Sequence, residues 1–395
     1  MKKILYKFLS FINFVISKKD IIVFNSFPDL SGNSIALYEY ILKKRPDIVN
    51  GYKLIWSVSS DIKECNELLV SRTGVPKHRL VQKRSFKGIY YYFISKYIVS
   101  THGFFPFIQT SADQTHLNLW HGMPFKRIGR MLEEVHNNGK SDEADMTIAT
   151  SSVFQEIMAK SFGLDDSKVL VTGQPCNDYL FEKKYYLGKF GIEKREFKKI
   201  IVWMPTYRKS VVGDIRQDGK LDSFGVSNVL SERFDDFNEL LKIKNYLLII
   251  KPHPMDVIND IKFPESENIV TIRNDDLSQK HVQLYELLSE CDILMTDYSS
   301  VFIDFMITGK PLVFVCDDIK EYGSSRGFCF NLPENYMPGE FINDYQKLVN
   351  YINDMEQLNE KWQRKYKLVQ KEFHLFCDND SSKRVCDEVF GHIGE

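Results

Sequence analysis

The sequence predicts an α/β chain of two Rossmann-like halves, each with a parallel sheet, facing one another across a cleft. Three observations predict it. Short runs rich in Val, Ile and Leu alternate with stretches of helical periodicity along the chain. Several of those runs are apolar at every position, as strands covered on both faces read. The 395 residues also suit two domains, at about 100–200 residues per domain. Hydrophobic residues make up 43% and charged residues 27%, a globular balance that excludes whole-chain disorder, collagen and coiled coil.

The first element is the apolar stretch Ile4–Ile16. It is shorter than the about 20 residues a membrane span needs. It runs into Ser17-Lys18-Lys19-Asp20 without a small-residue cleavage site, so no cleaved signal peptide is expected. Lys3, Lys7, Ser10, Asn13 and Ser17 recur at steps of three and four, with Leu5, Phe8, Leu9, Ile12 and Ile16 around the rest. Lys2, Lys18 and Lys19 add positive charge. Two readings follow: a basic amphipathic helix lying on an anionic membrane, or a helix packed on its own domain.

The strand candidates then come in two series. The first is Ile21–Asn25, Leu54–Val58, Tyr97–Ser100, Leu117–Trp120, Met146–Thr150 and Val169–Thr172. The second is Ile200–Met204, Tyr246–Lys251, Ile269–Ile272, Ile293–Thr296 and Leu312–Cys316. Helical patterns lie between them at Ser34–Lys44, Ser151–Phe162, Ser231–Lys242, Val282–Glu290 and Val301–Thr308. Such alternation implies right-handed crossovers and parallel strands. The charged stretch from Tyr179 to Lys199 is poor in core material and marks the boundary. The expected layout is a membrane-associating helix over 1–19, one Rossmann-like domain over 20–185, a second over 186–365, and helices over 366–395 returning to the first domain. Val211–Asn228 reads as a mobile loop.

Composition narrows the function. A net charge of −1 supplies no global field for nucleic acid. Seven cysteines, with no CxxC pair, indicate neither a disulfide framework nor a zinc site and fit a reducing cytoplasm. GxGxxG, GxxxxGK[ST] and HExxH are absent, which removes support for standard dinucleotide binding, P-loop hydrolysis and zinc proteolysis. No DxD triplet lies at a strand end.

Ligands of doubly wound folds bind beyond the carboxyl ends of strands, and four polar clusters sit there. In Trp120-His121-Gly122-Met123-Pro124-Phe125-Lys126, His121 can take a proton from a hydroxyl or simply cap a turn. In Met204-Pro205-Thr206-Tyr207-Arg208-Lys209, Arg208 suits phosphate, or the segment is a solvated basic turn. In Lys251-Pro252-His253-Pro254, His253 can neutralise charge on phosphate or be an exposed turn residue. In Thr296-Asp297-Tyr298-Ser299-Ser300-Val301, a strand ends and a helix begins, so backbone N–H groups and both hydroxyls can bind an anion; plain capping is the alternative. Asp317–Tyr322 reads as an acidic loop, and Arg384 either reaches the cleft or is a surface charge.

Together these segments, WHGMPFK, MPTYR, KPHP and TDYSSVFIDF, resemble in content and order those of the CDP-glycerol glycerophosphotransferases of teichoic acid and capsule synthesis. Phe24–Tyr40 and Ser382-Lys383-Arg384-Val385 resemble the family's start and end, so the likeness spans about residues 20 to 390. Met123, Phe125 and Met204 depart from the usual residues and put polyol or acceptor preference in question.

The resemblance implies a GT-B-like fold, with residues 20–185 as the acceptor domain and residues 186–365 as the CDP-alditol-binding domain, and metal-independent transfer of glycerol phosphate or ribitol phosphate from a CDP-alditol to a hydroxyl, releasing CMP. No cofactor is implied. The acceptor would be an undecaprenyl-diphosphate-linked glycan, and the enzyme would be peripheral on the inner face of the cell membrane. His121 would be the general base and His253 would stabilise the donor pyrophosphate. Thr206, Arg208, Ser299, Ser300 and Arg384 would hold the donor phosphates or CDP, with Asp297 orienting the loop. The chain length suggests a primase or short transferase. A GT-B glycosyltransferase using a nucleotide sugar, and a non-catalytic nucleotide-binding subunit, are the competing readings.

Overall fold

The computed structural model describes residues 2–132, 144–205, 229–230, 233–252, 266–316 and 327–391. They form two compact units. One comprises Met1–Met123, Ile128–Phe181 and His374–Glu395; the other comprises Pro124–Arg127 and Glu182–Phe373.

The first unit carries β1 (Lys19–Phe24), β2 (Lys53–Val58), β3 (Leu80–Gln82), β4 (Ser95–Ser100), β5 (Thr115–Asn118), β6 (Met146–Ala149) and β7 (Val169–Val171). They pair in the order β3-β2-β1-β4-β5-β6-β7, and every pair is parallel. Ile22, Phe24, Trp56 and Val58 enter one core layer, while Ile21, Val23, Ile55 and Ile98 enter the other. Both parities of β1 are therefore apolar, which is why the strand reads as an unbroken run.

Local signals set the helix ends. The Asp61 carboxylate accepts from the N–H groups of Lys63 and Glu64 to start the helix Ile62–Thr73. Ser151 caps Ser152–Phe162 in the same way through Phe154 N–H. The terminal helix Ser381–Phe390 buries Val385, Cys386 and Phe390 in the first unit's core. Its first N–H groups, on Ser381 and Ser382, donate to the Asp178 carboxylate at 2.9 Å each.

The helix Lys2–Val15 packs on its own domain. Leu9, Ile12 and Ile16 pack on the core layer of Ile21 and Val23. Asn13 does not face water with its polar stripe. It is fully buried, donating to Gln109 O and Gln114 Oε1 at 2.8 Å. The outward face is apolar instead: Ile4, Phe8, Phe11 and Phe14 are all more than half exposed. Among the described residues no helix is long and apolar enough to cross a membrane.

The second unit carries β8 (Lys199–Met204), β9 (Tyr246–Ile250), β10 (Ile269–Thr271), β11 (Ile293–Thr296), β12 (Leu312–Val315) and β13 (Glu340–Ile342). Their order is β10-β9-β8-β11-β12-β13, again all parallel. This unit begins at Glu182 rather than at residue 186. It also keeps the helix Tyr345–Phe373 to its end, because Leu348, Tyr351, Ile352 and Met355 lie in its core.

Candidate active site

Parallel strands deliver all their carboxyl ends to one edge of a sheet, and His121 in the first unit and Asp297, Ser299 and Ser300 in the second follow such ends. In the first unit the chain leaves β5 through Leu119 and Trp120 and reaches His121 in a turn with positive φ at Trp120 (50°) and Gly122 (135°). Left-handed backbone costs a non-glycine residue about 1–2 kcal/mol. Asn33, fully buried at the start of the helix Gly32–Lys44, holds the turn in place. Its amide donates to Leu119 O at 3.1 Å and Trp120 O at 3.0 Å, and its carbonyl accepts from Cys176 N–H at 3.0 Å.

The His121 ring is oriented on two sides. Nδ1 lies 3.2 Å from Thr101 O. A carbonyl only accepts, so Nδ1 carries the proton and Nε2 keeps its lone pair. The ring stacks flat on His102, with centroids 4.2 Å apart and planes 4° apart. Trp120 lies 4.1 Å away at 34°. His121 retains exposed surface. Desolvation nonetheless lowers its pKa below the ordinary imidazole value, and the bond to Thr101 O opposes that shift. The arrangement supplies a neutral imidazole with an open acceptor nitrogen, which is what a general base needs.

Lys83 follows β3 at the same edge and donates to Asn25 Oδ1 at 3.3 Å. Desolvation lowers its pKa, with Asp29 opposing and Arg84 adding to the effect. Sequence reasoning missed His102 and the structural role of Asn33. His102 follows β4 as His121 follows β5, so the same strand-end rule would have marked it.

Arg384 belongs to the first unit, and its guanidinium is already engaged. It donates to Thr172 O at 2.8 Å and pairs with Asp378 at 2.7 and 3.1 Å, lying over the Phe376 ring. A donor phosphate there would have to compete with Asp378.

In the second unit, β11 ends at Thr296, whose hydroxyl donates to Met204 O on the neighbouring β8 at 2.7 Å. Asp297 and Tyr298 follow, both buried. Ser299 and Ser300 lead into the buried helix Val301–Phe305. Among the described residues neither serine hydroxyl makes a hydrogen bond, and both are partly exposed. Below them the Asp304 carboxylate accepts from Tyr285 OH at 2.5 Å, fixing the helix. Lys251, buried at the end of β9, donates to Pro252 O at 2.9 Å and Asn274 Oδ1 at 2.6 Å.

Thr206, Arg208 and His253 lie outside the described residues, as do residues 211–228 and 317–322. Pro205 directly follows β8, and Pro252 lies two residues past the end of its paired strand β9.

The segment that begins with His121 is divided between the units. Phe125 packs edge-on against Phe302 at 5.0 Å and accepts from Cys329 N–H at 2.9 Å, within the second unit. Met123 and Phe125 are both buried.

The chain was compared with known proteins. A teichoic acid poly(glycerol phosphate) polymerase of Bacillus spizizenii is 27% identical over 94% of this chain and 92% of its own length. One from Bacillus subtilis is 26% identical over 94% of this chain, which spans only 49% of that longer protein. Ribitol-phosphate polymerases and primases are also relatives. Among solved structures, an H-to-A variant of the wall teichoic acid polymerase TagF matches with a TM-score of 0.76 at 23% identity, over 99% of this chain and 93% of that one. That likeness establishes the GT-B-like α/β fold. The model of the CDP-glycerol:poly(glycerophosphate) glycerophosphotransferase family matches residues 5–391, and the chain belongs to that family.

Proposed function

We propose that the chain transfers an alditol phosphate, glycerol phosphate or ribitol phosphate, from a CDP-alditol to a hydroxyl of an undecaprenyl-diphosphate-linked glycan, in teichoic acid or capsular polymer synthesis. The observation that carries this reading is the state of His121. Its Nδ1–H is spent on Thr101 O and its Nε2 is open, at a sheet's carboxyl edge.

The step balances as follows. The acceptor oxygen attacks the phosphorus that bears the alditol, and its proton passes to His121 Nε2. A new P–O bond forms, the P–O bond to CMP breaks, and CMP leaves with the electron pair. Such a transfer depends on positioning and charge neutralisation. The free hydroxyls of Ser299 and Ser300 and the turn behind them suit the donor phosphates. Arg208, Thr206 and His253, which follow β8 and β9 in the chain, supply further phosphate ligands, and Asp297 orients the turn.

The acceptor's lipid places the reaction at a membrane surface, and the outward Ile4, Phe8, Phe11 and Phe14 with Lys7 and Lys19 suit an anionic one. In this reading the enzyme works as a peripheral protein on the cytoplasmic face. The test is incubation with CDP-glycerol, CDP-ribitol or a UDP-sugar and a lipid-linked disaccharide. CMP release with acceptor mass rising by alditol phosphate units supports the reading. Turnover of the UDP-sugar alone overturns it in favour of a glycosyltransferase.

A further inference from the structure

We infer that His102 is a positioning residue for the base: its ring, lying flat against His121, fixes the plane in which His121 Nε2 takes the acceptor proton. The inference rests on the proposed role of His121.

The two imidazoles reach one another because β4 and β5 are paired in parallel, Ser100 beside Asn118. Each strand then releases a histidine at the same edge. Thr101 addresses both rings. Its carbonyl accepts from His121 Nδ1, while its hydroxyl lies 3.0 Å from His102 Nδ1. That hydroxyl also accepts from Phe27 N–H at 3.3 Å. Phe27 closes the outer side of His102, edge-on at 5.5 Å. A rotation of His121 about its side-chain bonds would break the stack with His102 and the contact with Trp120 together.

The stack also suits the charge that develops. As His121 accepts the proton it becomes an imidazolium lying over an aromatic face, an attractive arrangement when that face is uncharged. His102 is held uncharged from several directions. Burial pushes its pKa down to about 3, helped by His121 and by the Lys83 ammonium. Thr101, Phe27 and Trp120, which also contact it, carry no charge. Two facing imidazoles in contact titrate as a pair.

The experiment compares wild type, His102→Ala, His102→Phe and His121→Ala in the CDP-glycerol assay. Readouts are kcat and KM from pH 5 to 8.5 and histidine-ring NMR titration of the unliganded protein. We expect His102→Ala to lower kcat roughly 10- to 100-fold with donor KM changed less than threefold. Water admitted beside His121 should move the acid limb of kcat, and the NMR titration of His121, to higher pH. His102→Phe keeps a flat ring and should recover kcat to within about threefold of wild type, with His121 titrating as in wild type. Equal losses in the Ala and Phe variants would overturn the inference, as would a His102→Ala enzyme with wild-type kcat and an unmoved acid limb. Should His121→Ala itself retain full rate, the base assignment has failed and the inference falls with it. A dead His121→Ala beside a fully active His102→Ala overturns the inference alone.

Discussion

Asn33 and Trp120 lie far apart in sequence, yet the Asn33 amide holds the Trp120 carbonyl at 3.0 Å and so sets the left-handed turn that carries His121. A buried polar group stripped of its partner costs about 1–3 kcal/mol. Asn33→Ala orphans Cys176 N–H and the carbonyls of Leu119 and Trp120. Asn33→Asp can still accept from Cys176 but cannot donate to the turn. We expect both to lower the melting temperature by several degrees, and Asn33→Asp to lose kcat as well because the turn is no longer held. A thermal melt and the CMP-release assay check this; a wild-type kcat in Asn33→Asp would show that the turn holds itself.

The depressed pKa of His102 makes stability depend on pH with a definite sign. Unfolded, the ring protonates as pH falls through about 6.5; folded, it stays neutral to about 3. Between those values the unfolded state binds more protons, so stability is fully present above about 6.5 and is lost on acidification. By pH 5 the loss from this group is at most about 2 kcal/mol. Melting temperatures at pH 7.5 and 5 should converge in His102→Phe relative to wild type. An identical pH dependence in the two proteins would mean that His102 protonates freely in the fold.

In the proposed function the hydroxyls of Ser299 and Ser300 hold donor phosphates. Hydrogen bonds to charged groups contribute about 1.5–3 kcal/mol, so each Ser→Ala change should weaken CDP-glycerol binding roughly 10- to 100-fold. Calorimetric titration with CDP-glycerol measures it directly. Unchanged affinity in the double variant would confine these serines to capping the short helix.

The outward phenylalanines of the first helix bear on membrane association. Phe8→Ser with Phe11→Ser removes exposed apolar surface without touching Leu9, Ile12 or Asn13, which hold the helix to the core. Each buried phenylalanine is worth up to about 1.5–3 kcal/mol of transfer free energy. We expect binding to vesicles of anionic phospholipid to fall at least 10-fold while the melting temperature stays within about 2 °C. Equal binding by the double variant would assign this face another role.

Much of the fold was legible because the central strands are covered on both faces. Ile293–Thr296 is read with its observed bounds, and Lys199–Met204 to within a residue. The edge strands Leu80–Gln82 and Glu340–Ile342 were not legible: each is three residues long and only partly buried, too brief for a periodic signal. The helix Lys2–Val15 was legible as a helix, but its orientation was not. Asn13 looks like part of a solvated stripe until its distant partners Gln109 and Gln114 are known. For the site, strand-end position marked His121 and the Ser299-Ser300 turn. His102 lacked the flanking proline that drew attention to His121 and His253. The task of Asn33 is wholly tertiary, joining segments near residues 120 and 176, and no local pattern encodes that.

Alditol phosphate transfer with His121 as the base is open to single-turnover kinetics. Wild type and His121→Ala would be mixed with CDP-glycerol and a lipid-linked disaccharide, following CMP and acceptor mass, with CDP-glycerol affinity measured alongside. The account expects wild type to release CMP and add glycerol phosphate. His121→Ala should be slower by about 10²–10⁴-fold, with donor affinity within about threefold of wild type. Wild-type turnover by His121→Ala would contradict the account.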